Sequence, residues 1–480
     1  MITITKYNSL FTFLTAIACA GAAISCSSTK YERQDVGMPK EYRPNNAATI
    51  VQDTISIARI PYREFFTDAK LISLIDKGIV ANNDLKIAIR QLDIASLAYR
   101  QTKWNNVPTL NLNLAGASIN RPSDNSLNGL TIGQFLGQRY VEDYNSNLTI
   151  SWEADIWGKI KARKEAAYAS FLQTQEAAKA VQTRLISEIA QGYYNLLMLD
   201  LQLNITNQNL ELVENTLKMI RVQQNLGITT SLSVLQQENT RDQMLATVPA
   251  IRQSITAQEN ALRALTGDMP GEILRSKGLA EIPDPKSLAT GIPAEMLSFR
   301  PDVKSDELLV LQALATSNVA KRSMYPSLNI TAQGGLSAYQ FDNWFKTPGS
   351  LFATAIGTLA QPLLNGKRLK TQYKQSKIMV EQAELRFKQT VINAVGEVSN
   401  SLTAIEALQE QQTIMTGLVS RSEEAVSTAS IMYRNDLATY LDVIVAQNNK
   451  LKVELDLAMV IKQKLAAYVI LYRSLGGGWQ

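Results

Sequence analysis

Little in this chain can do covalent chemistry. Its 480 residues include no histidine, which removes imidazole general bases, Ser-His-Asp and Cys-His pairs, and histidine metal ligands. The two cysteines, Cys19 and Cys26, both stand near the start and build neither a disulfide framework nor a thiolate metal site. Carboxylates remain, but no Asp-x-Asp cluster and no Gly-rich phosphate loop accompanies them. No catalytic residue, cofactor-binding residue or metal-ligand set is legible, so the chain reads as a protein that is not an enzyme. Its 48 basic and 43 acidic residues are interspersed without a basic stripe, which gives no signal for nucleic acid.

One thiol has a legible fate. Residues 1–25 carry Lys6 and then an apolar run from Leu10 to Ile24, too short for a spanning helix but suited to a secretory signal. The run ends in Ala23-Ile24-Ser25-Cys26. This resembles a bacterial lipobox, where the cysteine becomes N-terminal and carries diacylglycerol and an N-acyl chain such as palmitate. An ordinary signal peptide followed by a free cysteine is the alternative. Each buried acyl methylene contributes about 0.8 kcal/mol, so several chains hold an N-terminus to one leaflet. Residues 26–66, with Pro39, Pro44 and Pro61, read as an irregular lipid-anchored leader. No apolar run of spanning length follows, so a membrane-crossing mature chain must cross as a barrel.

The elements behind this leader come twice, at an offset of roughly 209 residues. Pro108-Thr-Leu-Asn-Leu matches Pro326-Ser-Leu-Asn-Ile, Gly158-Lys159 matches Gly366-Lys367, and Glu188-Ile189 matches Glu397-Val398. Leu232-Ser233-Val234 matches Leu441-Asp442-Val443, and Arg263-Ala-Leu-Thr-Gly267 matches Arg473-Ser-Leu-Gly-Gly477. The first copy spans 67–270 and the second 292–477, with a linker at 271–291. Each copy opens with a helical stretch, 68–103 and 295–323, in which Leu71, Leu74, Ile75, Ile79 and Leu85 recur at helical spacing. Strands are expected next at about 108–120, 144–157, 326–339 and 350–362. Leu110-Asn-Leu-Asn-Leu114 and Leu148-Thr-Ile-Ser-Trp-Glu-Ala-Asp-Ile156 alternate apolar and polar residues, as a strand of a membrane barrel does. A soluble sandwich is the alternative, and four strands are few for it.

Long helices follow each strand pair, at 159–226 with 231–266 and at 366–434 with 440–475. No proline lies between Pro122 and Pro249 or after Pro362, and Pro249 is expected to kink its helix. Leu196, Leu199, Leu203, Thr206, Leu210, Val213, Leu217 and Ile220 keep strict 3-4 spacing, a seam for side-by-side packing. The remaining faces are rich in Gln, Asn, Ser and Thr, which suits a water-lined wall. The twelve methionines are scattered and read as core packing rather than a copper-handling stripe.

The ordered set Trp152-Glu-Ala-Asp-Ile-Trp-Gly158, Arg300-Pro-Asp-Val303, Tyr325-Pro-Ser-Leu328, Tyr440-Leu-Asp-Val443 and Leu471-Tyr-Arg-Ser-Leu-Gly-Gly-Gly-Trp479 resembles the TolC-like outer membrane factors, in the lipoprotein branch called NodT. The resemblance covers nearly the whole mature chain. It implies a mainly α protomer with a membrane β-barrel, and a homotrimer whose twelve-stranded barrel is continuous with an α-helical barrel. It further implies an outer membrane location in a Gram-negative bacterium. The expected role is a passive exit duct, coupled to a periplasmic adaptor protein and an inner-membrane RND-type pump. An exit duct for type I protein secretion and a non-channel coiled-coil surface lipoprotein are the alternatives. Adaptor-facing turns would fall at Gly227, Ile228 and Thr229 and at Asn435, Asp436 and Leu437.

Asp442 matches an aspartate that in some relatives lines the closed aperture. Three copies would then hold like charges near one another. An acid in the first turn of a helix, favourable to its dipole, is the equal alternative. Val445 stands where many relatives carry a second acid, so a second acidic ring is not expected. In the first copy Ser233 replaces the aspartate. Arg434 is close enough in sequence to pair with Asp436 or Asp442. Trp152 and Trp157 suit either an interfacial aromatic belt or a packed junction, the latter favoured for Trp157 because Gly158 starts the helical region.

Overall fold

The structure is a computed structural model that describes Gly37 and residues 57–137, 139–275, 278–285 and 298–479. Cys26, the signal segment, most of the leader, residues 276–277 and 286–291 of the linker and residues 292–297 of the second copy lie outside the described residues. The chain forms two compact units, one built from Ala95–Phe171 and Leu308–Glu384, the other from segments before, between and after these.

Alternation decides the first unit. Four strands, β1 Thr109–Asn120, β2 Val141–Ala154, β3 Ser327–Ala338 and β4 Leu351–Ala360, form one antiparallel sheet in the order β1-β2-β3-β4. The register sets Leu112 beside Leu148 and Gly334, and Leu110 beside Ile150 and Ala332. It continues this apolar face across β4 through Ala353, Ala355 and Leu359. The opposite face carries Asn111, Thr149, Gln333 and Thr354 in one row and Asn113 with Asn147 in the next. Leu110, Leu112, Leu148, Ile150, Ile330 and Leu359 are all exposed, so nothing among the described residues covers the apolar face.

β2 both starts and stops three residues before its expected range of 144–157. The reason lies in Asp155, whose two carboxylate oxygens accept the N–H groups of Ile160 and Lys161 at 2.9 Å each. The residue thus caps the next helix instead of continuing the ladder. Trp157 leaves the sheet altogether. Its Nε1 donates to the Pro326 carbonyl at 2.7 Å and its ring packs on Tyr325 at 5.4 Å, a packed junction rather than a belt. Trp152 stays on the apolar face and donates to the Asn106 carbonyl. A short helix, α4 at Leu127–Leu136, sits between β1 and β2, where no periodicity suggested one.

The second unit is helical. The described helices are α1 Tyr62–Phe65, α2 Ala69–Ala81, α3 Asn83–Thr102, α5 Lys159–Asn225, α6 Ser231–Leu265, α7 Pro301–Arg322, α8 Arg368–Arg434 and α9 Tyr440–Ser474, of which α3, α5, α7 and α8 begin or end in the first. The expected single stretch over 68–103 is two helices. Asn82 breaks it: its Oδ1 accepts the Leu85 N–H at 2.9 Å to cap α3, while its Nδ2 donates to the Leu265 carbonyl at 2.9 Å. Leu71, Ile75 and Leu85 are buried whereas Ile89 is exposed, so burial of the apolar positions ends within the first turns of α3. α5 and α8 each have 67 residues, about 100 Å of helix, and α6 and α9 each have 35. Pro249 lies inside α6.

Two of the signature segments build the core of this unit. Arg300 is buried; it donates to Asp302, to Glu397 at 2.9 Å and to the Ser474 carbonyl at 3.0 Å. Gly476, at φ 97°, ends α9 where a Cβ would meet the Phe299 backbone at 2.6 Å. Trp479 Nε1 donates to the Phe299 carbonyl and Lys179 lies 4.2 Å over its ring. Gly267 and Gly476 hold equivalent cap positions, both with positive φ. The sequence match of Gly267 to Gly477 is therefore one residue out of step.

Candidate functional site

The sequence-predicted site residues that can be placed fall on two turns of the second unit. α5 returns into α6 through 226–230, and α8 into α9 through 435–439. Each helix ends in the same six-residue cap. The Ile228 N–H donates to the Gln223 carbonyl and the Gly227 N–H to that of Gln224, both at 2.9 Å. The Leu437 N–H donates to Met432 at 2.9 Å and the Asp436 N–H to Tyr433 at 3.3 Å. This cap requires a left-handed residue at its fifth position. Glycine supplies it once, as Gly227 at φ 74°, and aspartate once, as Asp436 at φ 58°. Thr229 donates to Ser233 at 2.9 Å, and Asn435 Nδ2 donates to the Ile431 carbonyl. Leu226, Ile228 and Leu437 are exposed.

Asp442 opens α9. Its Oδ2 accepts the Thr439 N–H at 2.8 Å and the Thr439 hydroxyl at 2.7 Å, completing a reciprocal cap with Thr439. These two bonds hold its carboxyl below the ordinary carboxylate range. It takes its partners from Thr439 and not from Arg434. Ser233, its counterpart, is only 1% exposed, so the same position of the repeat faces inward in one copy and outward in the other.

Sequence reasoning missed how the two hairpins are joined. The Tyr433 hydroxyl donates to Gln223 Oε1 and the Tyr440 hydroxyl to Gln236 Oε1. Deeper, Gln447 Nε2 donates to Thr216 Oγ1 at 2.9 Å and Asn209 Nδ2 to Glu454 Oε2 at 2.7 Å. Leu217, Ile220, Val234, Tyr433 and Val443 fill the space between these bonds. A signal did exist. Asn209 and Thr216, seven apart, sit on the apolar stripe, and buried polar groups must find partners. Of the predicted seam, Leu196, Thr206, Val213, Leu217 and Ile220 are buried.

Among the described residues no cluster of three His, Cys, Asp or Glu side chains converges. No described helix is long and apolar enough to cross a membrane. What remains is one bare apolar sheet face, a polar reverse face and hydrogen-bonded helical hairpins. A family model described as outer membrane efflux protein matches residues 74–268 and 292–477. The chain belongs to the outer membrane efflux protein family. It is 26% identical over 451 residues to the toluene efflux pump outer membrane protein TtgC of Pseudomonas putida, covering 91% of this chain and 88% of that one. It is 23% identical over 476 residues to the cation efflux system protein CusC of Escherichia coli O6:H1, covering 98% and 99%. The MtrE outer membrane channel of Neisseria gonorrhoeae has the same fold, with a TM-score of 0.82 at 21% identity over 94% of this chain and 98% of that one. This outer membrane efflux protein is accordingly an outer-membrane channel component with the TolC-like duplicated protomer.

Proposed function

We propose that three copies close into one passive duct, which works with a periplasmic adaptor protein and an inner-membrane RND-type pump. The observation that carries this reading is the four-stranded sheet. β1 and β4 are its edges, and a bilayer tolerates no unpaired strand edge. Four strands cannot close alone. Eight would leave an interior just filled by side chains, so twelve, from three copies, is the smallest multiple that encloses an open lumen. In such a ring the apolar face meets lipid and Asn111, Asn113, Asn147, Thr149 and Gln333 line the water.

Two exposed apolar stripes support contact between copies. Ile87, Ile94 and Leu97 lie along α3, and Ile378, Leu385 and Ile392 recur every seven residues along α8. A head-to-tail contact of unlike stripes generates rings. The adaptor would meet the turns at Gly227, Ile228 and Thr229 and at Asn435, Asp436 and Leu437, and Asp442 would face the aperture from its exposed helix start. Cys26 would carry the diacylglycerol and N-acyl lipid that tether the leader to the inner leaflet of the outer membrane. No catalytic step is proposed; the pump supplies the energy.

Purified protein in a planar bilayer should conduct as a trimer. A monomer in mild detergent that never conducts would sink the duct. Cys26→Ser should abolish palmitate labelling, and retained labelling would remove the anchor.

A further inference from the structure

One end of the sheet is strongly one-signed. The connections leaving it, residues 103–108, 155–164, 321–326 and 361–370, hold ten lysines and arginines against one carboxylate, Asp155. The connections at the other end, 121–140 and 339–350, hold three cations and two anions.

The placement runs against local electrostatics. Neither α5 nor α8 has an acid in its first turn. Lys161, Arg163 and Lys164 crowd one helix start, Lys367, Arg368 and Lys370 the other. Positive charge there opposes the helix dipole, offset at the α5 start by the Asp155 carboxylate that caps it. Lys159 is answered within the chain by Glu153, Arg322 by the Gly158 carbonyl, and Lys103 lies over the Tyr99 ring. Those crowding the helix starts, with Lys103, are exposed. The same connections carry bare apolar side chains: Trp104 is 66%, Leu363 85% and Leu364 98% exposed. They lie within six residues of Leu110 and Leu359, the exposed apolar residues at this end of β1 and β4.

We propose that this end of the sheet is a collar for anionic phospholipid. Lys161, Lys164, Lys367 and Arg368 take the phosphates of acidic headgroups, while Trp104, Leu363 and Leu364 enter the acyl region of the same leaflet. Exposed cations bordering a lipid-facing apolar surface attract acidic lipid, and an aromatic ring at that border lies where headgroup meets hydrocarbon. The collar rests on the reading of the sheet as membrane-spanning.

The test uses the full-length assembled protein in vesicles of phosphatidylcholine doped with acyl-brominated phosphatidylglycerol or acyl-brominated phosphatidylcholine. Quenching of tryptophan fluorescence reports which lipid sits at the collar. Phosphatidylglycerol should quench at the lower mole fraction, and the preference should fall about fivefold for each charge removed in K161Q/K164Q/K367Q/R368Q. The double variant K367Q/R368Q should show a smaller drop and covers failure of the fourfold variant to assemble. Equal quenching by both lipids, or an unchanged preference in the variants, would overturn the collar. So would displacement of the lipid by millimolar inorganic phosphate, which marks a site for the free ion. A change in channel ion selectivity with lipid preference intact would place these cations in the lumen and also overturn it. If the wild type neither inserts nor conducts in pure phosphatidylcholine, the membrane reading itself fails, an outcome distinct from loss of lipid preference.

Discussion

The two hairpin turns solve one geometric problem with different chemistry. Both end a 67-residue helix in the same cap and both restart from an extended threonine. The first relies on Gly227 for its left-handed residue and leaves Thr230 without a side-chain cap bond. The second places Asp436 in the left-handed position and recovers order through the Thr439–Asp442 capping box. Duplication fixed the backbone; the side chains then diverged according to which face each turn presents. Ser233 is buried and Asp442 is exposed at the same repeat position.

Hydrogen exchange of the two turns can break this comparison. The largest difference is expected from the packing between them. Ile220, fully buried, corresponds to Ala429 in the second copy, which lies partly buried against the same cluster. Ile220→Ala should cost about 3–4 kcal/mol of local stability, while Ala429→Gly should cost only about 1 kcal/mol. Equal costs would show that the cluster is not shared unequally. Next, Gly227→Val should cost about 1–2 kcal/mol, because a β-branched residue is strained in the left-handed region. Asp436→Gly should relieve strain by less than about 1 kcal/mol, and a loss there would mean that the aspartate side chain holds the turn.

Asp442→Ala should speed exchange over 440–445 several-fold, the scale of a lost cap, and leave 231–236 unchanged. Acid gives the same contrast. The Asp442 carboxyl is held low in the folded protein, so its contribution is present at neutral pH. It is lost as pH falls through that lowered value, below the ordinary carboxylate range. A first turn that loosens in step with the second on acidification would contradict this assignment.

Much of the fold was legible because its signals are local. Period-two alternation marked the strands around Leu110 and Leu148, and the gaps between prolines marked the long helices. The less legible features depend on what a residue meets in space. Asn82 looks like an ordinary helix position until its amide is seen to reach the Leu265 carbonyl. Asp155 reads as a strand residue by alternation, but two N–H groups of the next helix claim it. Of the candidate site, the turns were readable from Gly227 and the Asn435-Asp436 pair. The bonds joining the hairpins were not, since Tyr433 and Gln223 stand 210 positions apart.

The equal helix lengths carry a consequence for how such a chain can change. Deleting one residue within α5 would draw its tip back by about 1.5 Å and turn it by roughly 100°. Gln223 would swing away from Tyr433 and Thr216 from Gln447 at once. Substitutions are absorbed one contact at a time, but a length change in either hairpin uncouples every contact beyond it. Insertions and deletions should therefore collect in the segment joining the two copies and in the loops at the far end of the sheet, leaving both hairpins to drift in composition at constant length.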